Sequence, residues 1–193
     1  LTVQITGQVP TGQYALNGRR LDDADRLLGE CARAATRAIE AAPADEAKAL
    51  MARGSALTWL AKSGSLQGRG DPKAWDLAAR DLERSMELEP LQPRYPYMAA
   101  YHYRQRYLVQ DVDRRLIEAA LRHAIKSITL NLPGGTAREL RGSIYMDLGK
   151  IEPSATAARD FFLLAAVDFG AALEFLPESA SLLLSRSQAV SRA

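Results

Sequence analysis

The chain has 193 residues, of which 47% are hydrophobic and 25% are charged, so it can bury a core and is unlike a disordered segment. Its formal net charge of +2 is too small to indicate a nucleic-acid-binding surface. The single cysteine excludes an intramolecular disulfide, and no apolar run approaches the roughly 20 residues that a membrane helix needs.

Residues 1–20 differ in pattern from the rest of the chain. Apolar and polar residues alternate from Leu1 to Thr6, and Tyr14-Ala15-Leu16-Asn17-Gly18 fits a return strand that ends in a tight turn. We therefore predict a β-hairpin or an extended arm. With the Asp-initiated helix that follows, the segment resembles the start of the periplasmic domain of ExbD/TolR-type transport proteins. That resemblance implies a component of a bacterial envelope machine.

A helix is predicted next, over residues 21–43. Asp22 or Asp23 can cap its N-terminus. Six residues at helical spacing form one apolar face, and Cys31 is therefore expected in the core. They are Leu27, Leu28, Cys31, Ala35, Ala38 and Ile39.

Three pairs of helices are predicted after it, over residues 45–90, 93–133 and 136–177. The first pair has a helix over 45–62 and a loop over 63–70, because Gly and Ser dominate that loop. Asp71 as N-cap and Pro72 as the first helical residue then begin the second helix.

The other two pairs also carry helix-start signals. Pro93 and Pro96 open a helix that ends near Val109, and Asp111 is predicted to cap its partner, with Ile125 on the apolar face. The stretch from Thr136 to Glu139 has the pattern of a capping box. Residues 178–193 are predicted to form a last helix that caps the stack with a polar outer face.

Two of the helix pairs carry the same residues at matching places. Arg53-Gly54-Ser55 in the first pair corresponds to Arg141-Gly142-Ser143 in the third. The second helices share an Ala, an Asp and a closing Pro, which are Ala78, Asp81 and Pro90 in one and Ala165, Asp168 and Pro177 in the other. This pattern resembles the tetratricopeptide repeat (TPR), a helix–turn–helix unit of about 34 residues.

The resemblance implies an all-α, right-handed TPR-like α-solenoid, in which a Gly lets the first helix of each repeat approach the second. The residues 21–43 would be a half repeat. Arg53 with Asp81, and Arg141 with Asp168, are predicted to form ion pairs inside each repeat; a charged site repeated along a groove is the alternative.

The TPR family binds partners on a concave surface that is lined by the first helix of each repeat. Counting from the Gly places puts nine residues on that surface, and Tyr, Met and Arg among them are types enriched at interfaces. The alternative is that half of the tyrosines belong to the core. The nine are Met51, Ser55, Thr58, Tyr97, Tyr101, Arg104, Glu139, Ser143 and Met146.

No arrangement of side chains typical of catalysis is visible in the sequence. His102 and His123 lack partners at metal-ligand spacing and are expected to be solvated surface histidines. The Gly-rich run at 63–70 lacks the Lys-Ser/Thr of a phosphate loop. We therefore predict no enzyme activity, no cofactor and no metal.

The sequence thus favours a protein–protein or peptide-binding scaffold. The alternatives are an assembly component of an envelope machine whose N-terminal strand pairs with a partner sheet, and a helical accessory domain of a larger enzyme. Nucleic acid is not expected as a partner, no membrane span is expected, and a homo-oligomer stays open. Because the chain begins with Leu1 rather than Met, an upstream segment is expected, which leaves the compartment open between cytoplasm and periplasm.

Overall fold

The computed structural model describes residues 19–110 and 112–193, and within them the chain is helical with no β-strand. The predicted all-α class is confirmed for this part of the chain. The hairpin predicted for residues 1–20 lies outside it, except that residues 19 and 20 begin the first helix. The helices are α1 (Arg19–Ala41), α2 (Glu46–Leu66), α3 (Pro72–Leu88), α4 (Arg94–Val109), α5 (Arg114–Thr129), α6 (Thr136–Ile151), α7 (Ala155–Leu173) and α8 (Ala180–Arg192).

The chain divides after Leu88 into two compact units. In the first, α2 packs against both α1 and α3. Trp75, Ala78 and Leu82 on α3 are fully buried, because apolar residues at helical spacing give this amphipathic helix one face that must leave water.

The second unit, Glu89–Ala193, contains α4 to α8. Each of these helices packs against the next along the chain, and α6 also contacts α4. One core cluster lies among α4, α5 and α6 and comprises Ala100, Tyr107, Ile117, Ala120, Ala124, Leu140, Ile144 and Leu148. The other lies among α6, α7 and α8 and comprises Met146, Phe162, Ala165, Phe169, Ala172, Leu173, Leu182 and Ala189. Because α6 contributes to both, two of its faces are buried.

The predicted cap of α3 is confirmed, and those of α5 and α6 are not. The Asp71 carboxylate accepts a hydrogen bond from the backbone N–H of Lys73 at 2.9 Å, as predicted. Before α5 the cap is Asp113 rather than Asp111, because the side chain of Asp113 accepts from the backbone of the second helical residue. The capping box at Thr136 is wrong: Thr136 is already helical, and the N-cap residue before it is a glycine without a side chain.

Two predicted helix boundaries and two predicted core positions need correction. Helix α1 begins at Arg19, before the predicted caps, and α2 continues to Leu66, so most of the segment expected as a loop is helix. Cys31 is exposed rather than in the core. On α5, Ile125 is exposed and Ile117 is buried in its place, since the apolar face of the helix is rotated from the one predicted.

The outer face of α8 also differs from the prediction. Besides the polar side chains that were predicted to face outward, it exposes Leu183, Leu184 and Val190, which are 49%, 60% and 60% accessible. Leu163, Leu164 and Val167 on α7 are exposed too. The C-terminal helices therefore expose apolar side chains as well as the polar ones that were expected.

Candidate binding surface on α4 and α6

Two arginine–aspartate pairs fix the helix hairpins at matching places. Arg53 on α2 donates from Nε and Nη2 to both carboxylate oxygens of Asp81 on α3, at 2.7 and 2.8 Å. Arg141 on α6 donates in the same way to Asp168 on α7, at 2.7 Å for both bonds. These hydrogen bonds raise the pKa of each guanidinium. The two predicted ion pairs are confirmed, each between the two helices of one hairpin.

The glycines beside these arginines lie where two helices approach closely. A Cβ added to Gly54 would lie 2.8 Å from Leu82 Cγ, and one added to Gly142 would lie 3.0 Å from Phe169 Cε1. Leu82 and Phe169 each follow the paired aspartate in sequence. Both hairpins therefore use one design: a glycine for close approach, next to an arginine that reaches across to the second helix.

The hairpin of α4 and α5 has no such pair among its described residues. When Ala100 is aligned with the glycines of the other two hairpins, Ala99 takes the place of their arginines. Ala99 is fully buried. The two helices are joined instead by the Ser127 hydroxyl, which donates to the carbonyl of Pro93 at 2.9 Å. The rings of Tyr103 on α4 and His123 on α5 also stack, with centroids 5.5 Å apart.

Arg104 on α4 forms its ion pair with the next helix hairpin. Its Nε donates to Asp147 on α6 at 2.8 Å, and the Asp147 side chain, only 4% exposed, also accepts from Lys150. This pair sets the register of α4 and α6, which run in the same direction because α5 reverses the chain between them. Arg104 therefore contributes to helix packing and is not a free ligand group.

The same register defines a surface along the seam of α4 and α6. About two helical turns before the Arg104–Asp147 pair lie Tyr97 on α4 and Glu139 on α6, and one turn before it lie Tyr101 and Ser143. All four side chains are half-buried. We call these four residues, Tyr97, Tyr101, Glu139 and Ser143, the seam surface.

These side chains affect one another's pKa values through their charges. Burial raises the pKa of Tyr97, and the negative charge of Glu139 raises it further, while Arg94 lowers it. Burial also raises the pKa of Tyr101, with smaller effects from Tyr97 and Arg104. Burial raises the pKa of Glu139, and Arg104 lowers it. The seam surface thus combines two neutral phenols with one partly desolvated carboxylate.

The other predicted site residues, apart from Arg104, are buried or lie in the first unit. Met146 is buried in the cluster with α7, so it points away from the seam surface. In the first unit, Ser55 and Thr58 are buried and donate to the carbonyl oxygens of their own helix, on Met51 and Gly54, at 2.7 and 2.8 Å. Met51 is half-buried.

Sequence reasoning missed Asp147, which is the residue that positions Arg104. The signal available was its helical spacing from Glu139, since both fall on one face of α6. It also misplaced the histidines: His102 is fully buried and His123 is half-buried in its stack with Tyr103, so neither is a solvated surface residue.

Within residues 19–110 and 112–193, no group of three or more His, Cys, Asp or Glu side chains could hold a metal ion. Among the same residues, no helix has both the length and the apolar character of a membrane-spanning segment. Comparisons with protein-family models, curated proteins and solved structures find no match to the chain.

Proposed function

We propose that this chain is a protein- or peptide-binding scaffold of TPR-like repeats without catalytic activity of its own, and that a partner docks on the seam surface. The observation that carries the proposal is the seam surface itself. Its four half-buried side chains lie along two parallel helices whose register the Arg104–Asp147 pair holds. Side chains held by packing and by a neighbouring ion pair bind a partner with little loss of conformational entropy.

The repeat character of the scaffold has two supports. The Arg–Asp bridge recurs at the same places in the α2/α3 and α6/α7 hairpins, beside a glycine at a close helix approach. In the second unit, α6 contacts α4 as well as α5, which is the packing expected when first helices line one side of a stack. A right-handed solenoid of repeats 45–90, 93–133 and 136–177, after a half repeat at 21–43, fits both.

Tyrosine residues suit this function because they contribute a large contact area at a small entropic cost and keep a polar tip. Tyr97 and Tyr101 pack against the core cluster of α4, α5 and α6 while staying partly accessible. A bound segment would therefore meet rings whose orientation is already fixed. Glu139 and Ser143 add polar groups on the facing helix, which would set the register of that segment.

The exposed apolar residues of α7 and α8 favour a second docking surface. Monomeric proteins rarely leave large apolar patches in water, and Leu184 and Val190 are both 60% exposed. A test must therefore distinguish a partner on the seam surface from one on α8. The alternative of an envelope assembly component depends on residues 1–20 and needs a separate deletion of that segment.

A random peptide library displayed on phage and selected on the immobilised chain tests the proposal. The selected peptides are then measured by calorimetry against two matched variants, Ser143→Gln on the seam surface and Ser187→Gln, an exposed serine on α8. Gln favours a helix more than Ser does, so both variants should keep the far-UV CD spectrum of the parent. We expect Ser143→Gln to weaken binding at least about tenfold, or about 1.4 kcal/mol, and Ser187→Gln to have no effect. The reverse result would move the site to α8, and a library without any binding peptide would overturn the proposal.

A further inference from the structure

Glu139 differs from the other acidic groups of the helix seams. Asp81, Asp147 and Asp168 are each buried and each bound to an arginine. Glu139 is half-buried, yet it makes no hydrogen bond or ion pair with any side chain that the structure describes. A partly desolvated carboxylate without a bonded cation costs free energy, which a cation from a partner would recover.

The cations near Glu139 do not meet this need. The charge of Arg104 lowers the pKa of Glu139, but its Nε is bound to Asp147, which lies on the same helix as Glu139. Arg141 also lies on α6, and it is bound to Asp168 on α7 through two hydrogen bonds. Arg94 acts on Tyr97 but has no resolved effect on Glu139. No cation among the described residues is thus bonded to this carboxylate, which leaves it open to one from a partner.

The aromatic rings opposite Glu139 fit the rest of a basic side chain. Tyr97 and Tyr101 lie one helical turn apart on α4, so their rings lie on one face of the helix. Tyrosine rings attract an ammonium or guanidinium group through their negative faces, and they also pack against the methylene groups of lysine or arginine. An acid beside two such rings is a combination that recognises a cation.

We infer that the seam surface takes a lysine or arginine side chain from a bound peptide, with its charged end on Glu139 and its methylene groups against Tyr97 and Tyr101. This inference rests on the proposed function and names the chemistry of the partner: a basic segment, not an acidic one. Ser143, one turn after Glu139 and without a hydrogen bond to the described residues, lies where it can bond the backbone of that segment.

The phage library gives the first test, through the sequences that it yields. Selection on the parent chain should enrich Lys or Arg at one fixed position, and selection on Glu139→Lys should enrich Asp or Glu there. Selection on Glu118→Lys, which changes an exposed acid on α5, should give the parent pattern. Peptides that bind and depend on Ser143 but carry no basic position would overturn the inference and leave the proposed function standing. A library that yields no Ser143-dependent peptide would overturn both.

Calorimetry with one selected peptide gives the second test. Changing its basic residue to Met should weaken binding to the parent about tenfold, as expected for one charge-assisted contact. Against Glu139→Gln, the basic peptide and its Met version should bind almost equally, since the group that distinguishes them is gone. An equal loss on parent and variant would show that the basic residue binds elsewhere and would overturn the inference.

Discussion

The α6/α7 and α4/α5 hairpins belong to one unit, but their helices are held together in different ways. The first is bridged by Arg141 and Asp168, whose carboxylate is 3% exposed and bonded twice. The second has the small residue Ala99 at the corresponding place on its first helix. A polar bridge thus fixes one hairpin, and close packing of small residues with a stacked Tyr–His pair fixes the other.

The difference explains why the seam surface lies beside α4. Among the described residues α4 has no Arg–Asp bridge inside its own hairpin, and its Arg104 makes a buried ion pair with α6. That pair brings α4 and α6 together at their C-terminal halves, with Tyr97 and Glu139 at the other end of the seam. In the α6/α7 hairpin, Arg141 binds an aspartate of the same hairpin. The ring of the neighbouring Tyr145 packs near Arg141 and Phe161.

The largest expected effect comes from breaking the Arg141–Asp168 bridge of the α6/α7 hairpin. The described residues of the α4/α5 hairpin contain no such bridge. Arg141→Met leaves the buried Asp168 carboxylate without its partner, and we expect the free energy of unfolding to fall by about 3 kcal/mol. Urea unfolding followed by far-UV CD measures this. The double variant Arg141→Met/Asp168→Leu should recover much of the loss, since no buried charge remains. A double variant as unstable as the single one would contradict the buried-charge explanation.

The next effect concerns the pair between first helices. Arg104→Met should lower the free energy of unfolding by about 1–2 kcal/mol, less than Arg141→Met, because Lys150 still binds Asp147 at 3.0 Å. The same urea experiment measures it. Adding Lys150→Met removes the remaining cation, and the two changes together should cost more than the sum of each alone. Additive losses would show that Lys150 does not compensate for Arg104.

Much of the hairpin architecture could be predicted from the sequence because it depends on local signals. Asp71 before Pro72 marks a helix start, and the repeated Arg-Gly places with their aspartates predict the two bridges. The Arg104–Asp147 pair could not be predicted in this way. It depends on the packing of α4 against α6, and the spacing of Asp147 from Glu139 along α6 does not show which helix lies opposite them.

The errors at the ends of the helices have the same physical origin. Thr136 matches a capping pattern, yet it is the first helical residue, and the N-cap place is held by a glycine that lies close to Ala172 of α7. Leu183 and Leu184 lie in a helix whose polar residues suggested an outer cap, but only Leu182 and Ala189 are buried there. Local composition indicates a helix; the neighbours determine which face is covered.

Glycine-to-alanine substitutions should change stability in opposite directions, depending on whether the glycine lies where two helices approach closely or on an exposed helix face. Gly54→Ala places a Cβ against Leu82 and the carbonyl of Ala78, so we expect a net loss of about 1 kcal/mol despite the better helix propensity of alanine. Gly29→Ala on α1 meets only the end of the Arg33 side chain and should gain up to about 1 kcal/mol. Thermal unfolding of both variants checks the opposite signs. A gain at both positions would show that α3 can move away from α2 at little cost.

The smallest expected effect on stability is that of Glu139. Its charge is expected to lower the stability of the fold and to favour the binding of a basic peptide. Burial raises its pKa in the folded state, so the folded protein holds this proton more tightly than the unfolded chain does. The stability that protonation contributes is present below the ordinary pKa of glutamate and is lost as the pH rises through the raised folded value. At neutral pH, Glu139→Gln removes a desolvated charge and should raise the free energy of unfolding by on the order of 0.5 kcal/mol.

Urea unfolding of parent and Glu139→Gln at neutral pH and at about pH 4 measures this difference, which should vanish at the lower pH where the carboxyl is protonated. Glu118→Gln is the matched control on α5. It breaks an exposed ion pair with Arg114 and should leave the free energy of unfolding close to that of the parent. If Glu139→Gln stabilises the fold and also weakens binding of the basic peptide, this carboxylate is retained for binding, since it contributes nothing to folding. If instead Glu139→Gln destabilises the protein at neutral pH, the carboxylate has a structural partner, and the α4/α6 seam is satisfied in the same way as the α6/α7 hairpin.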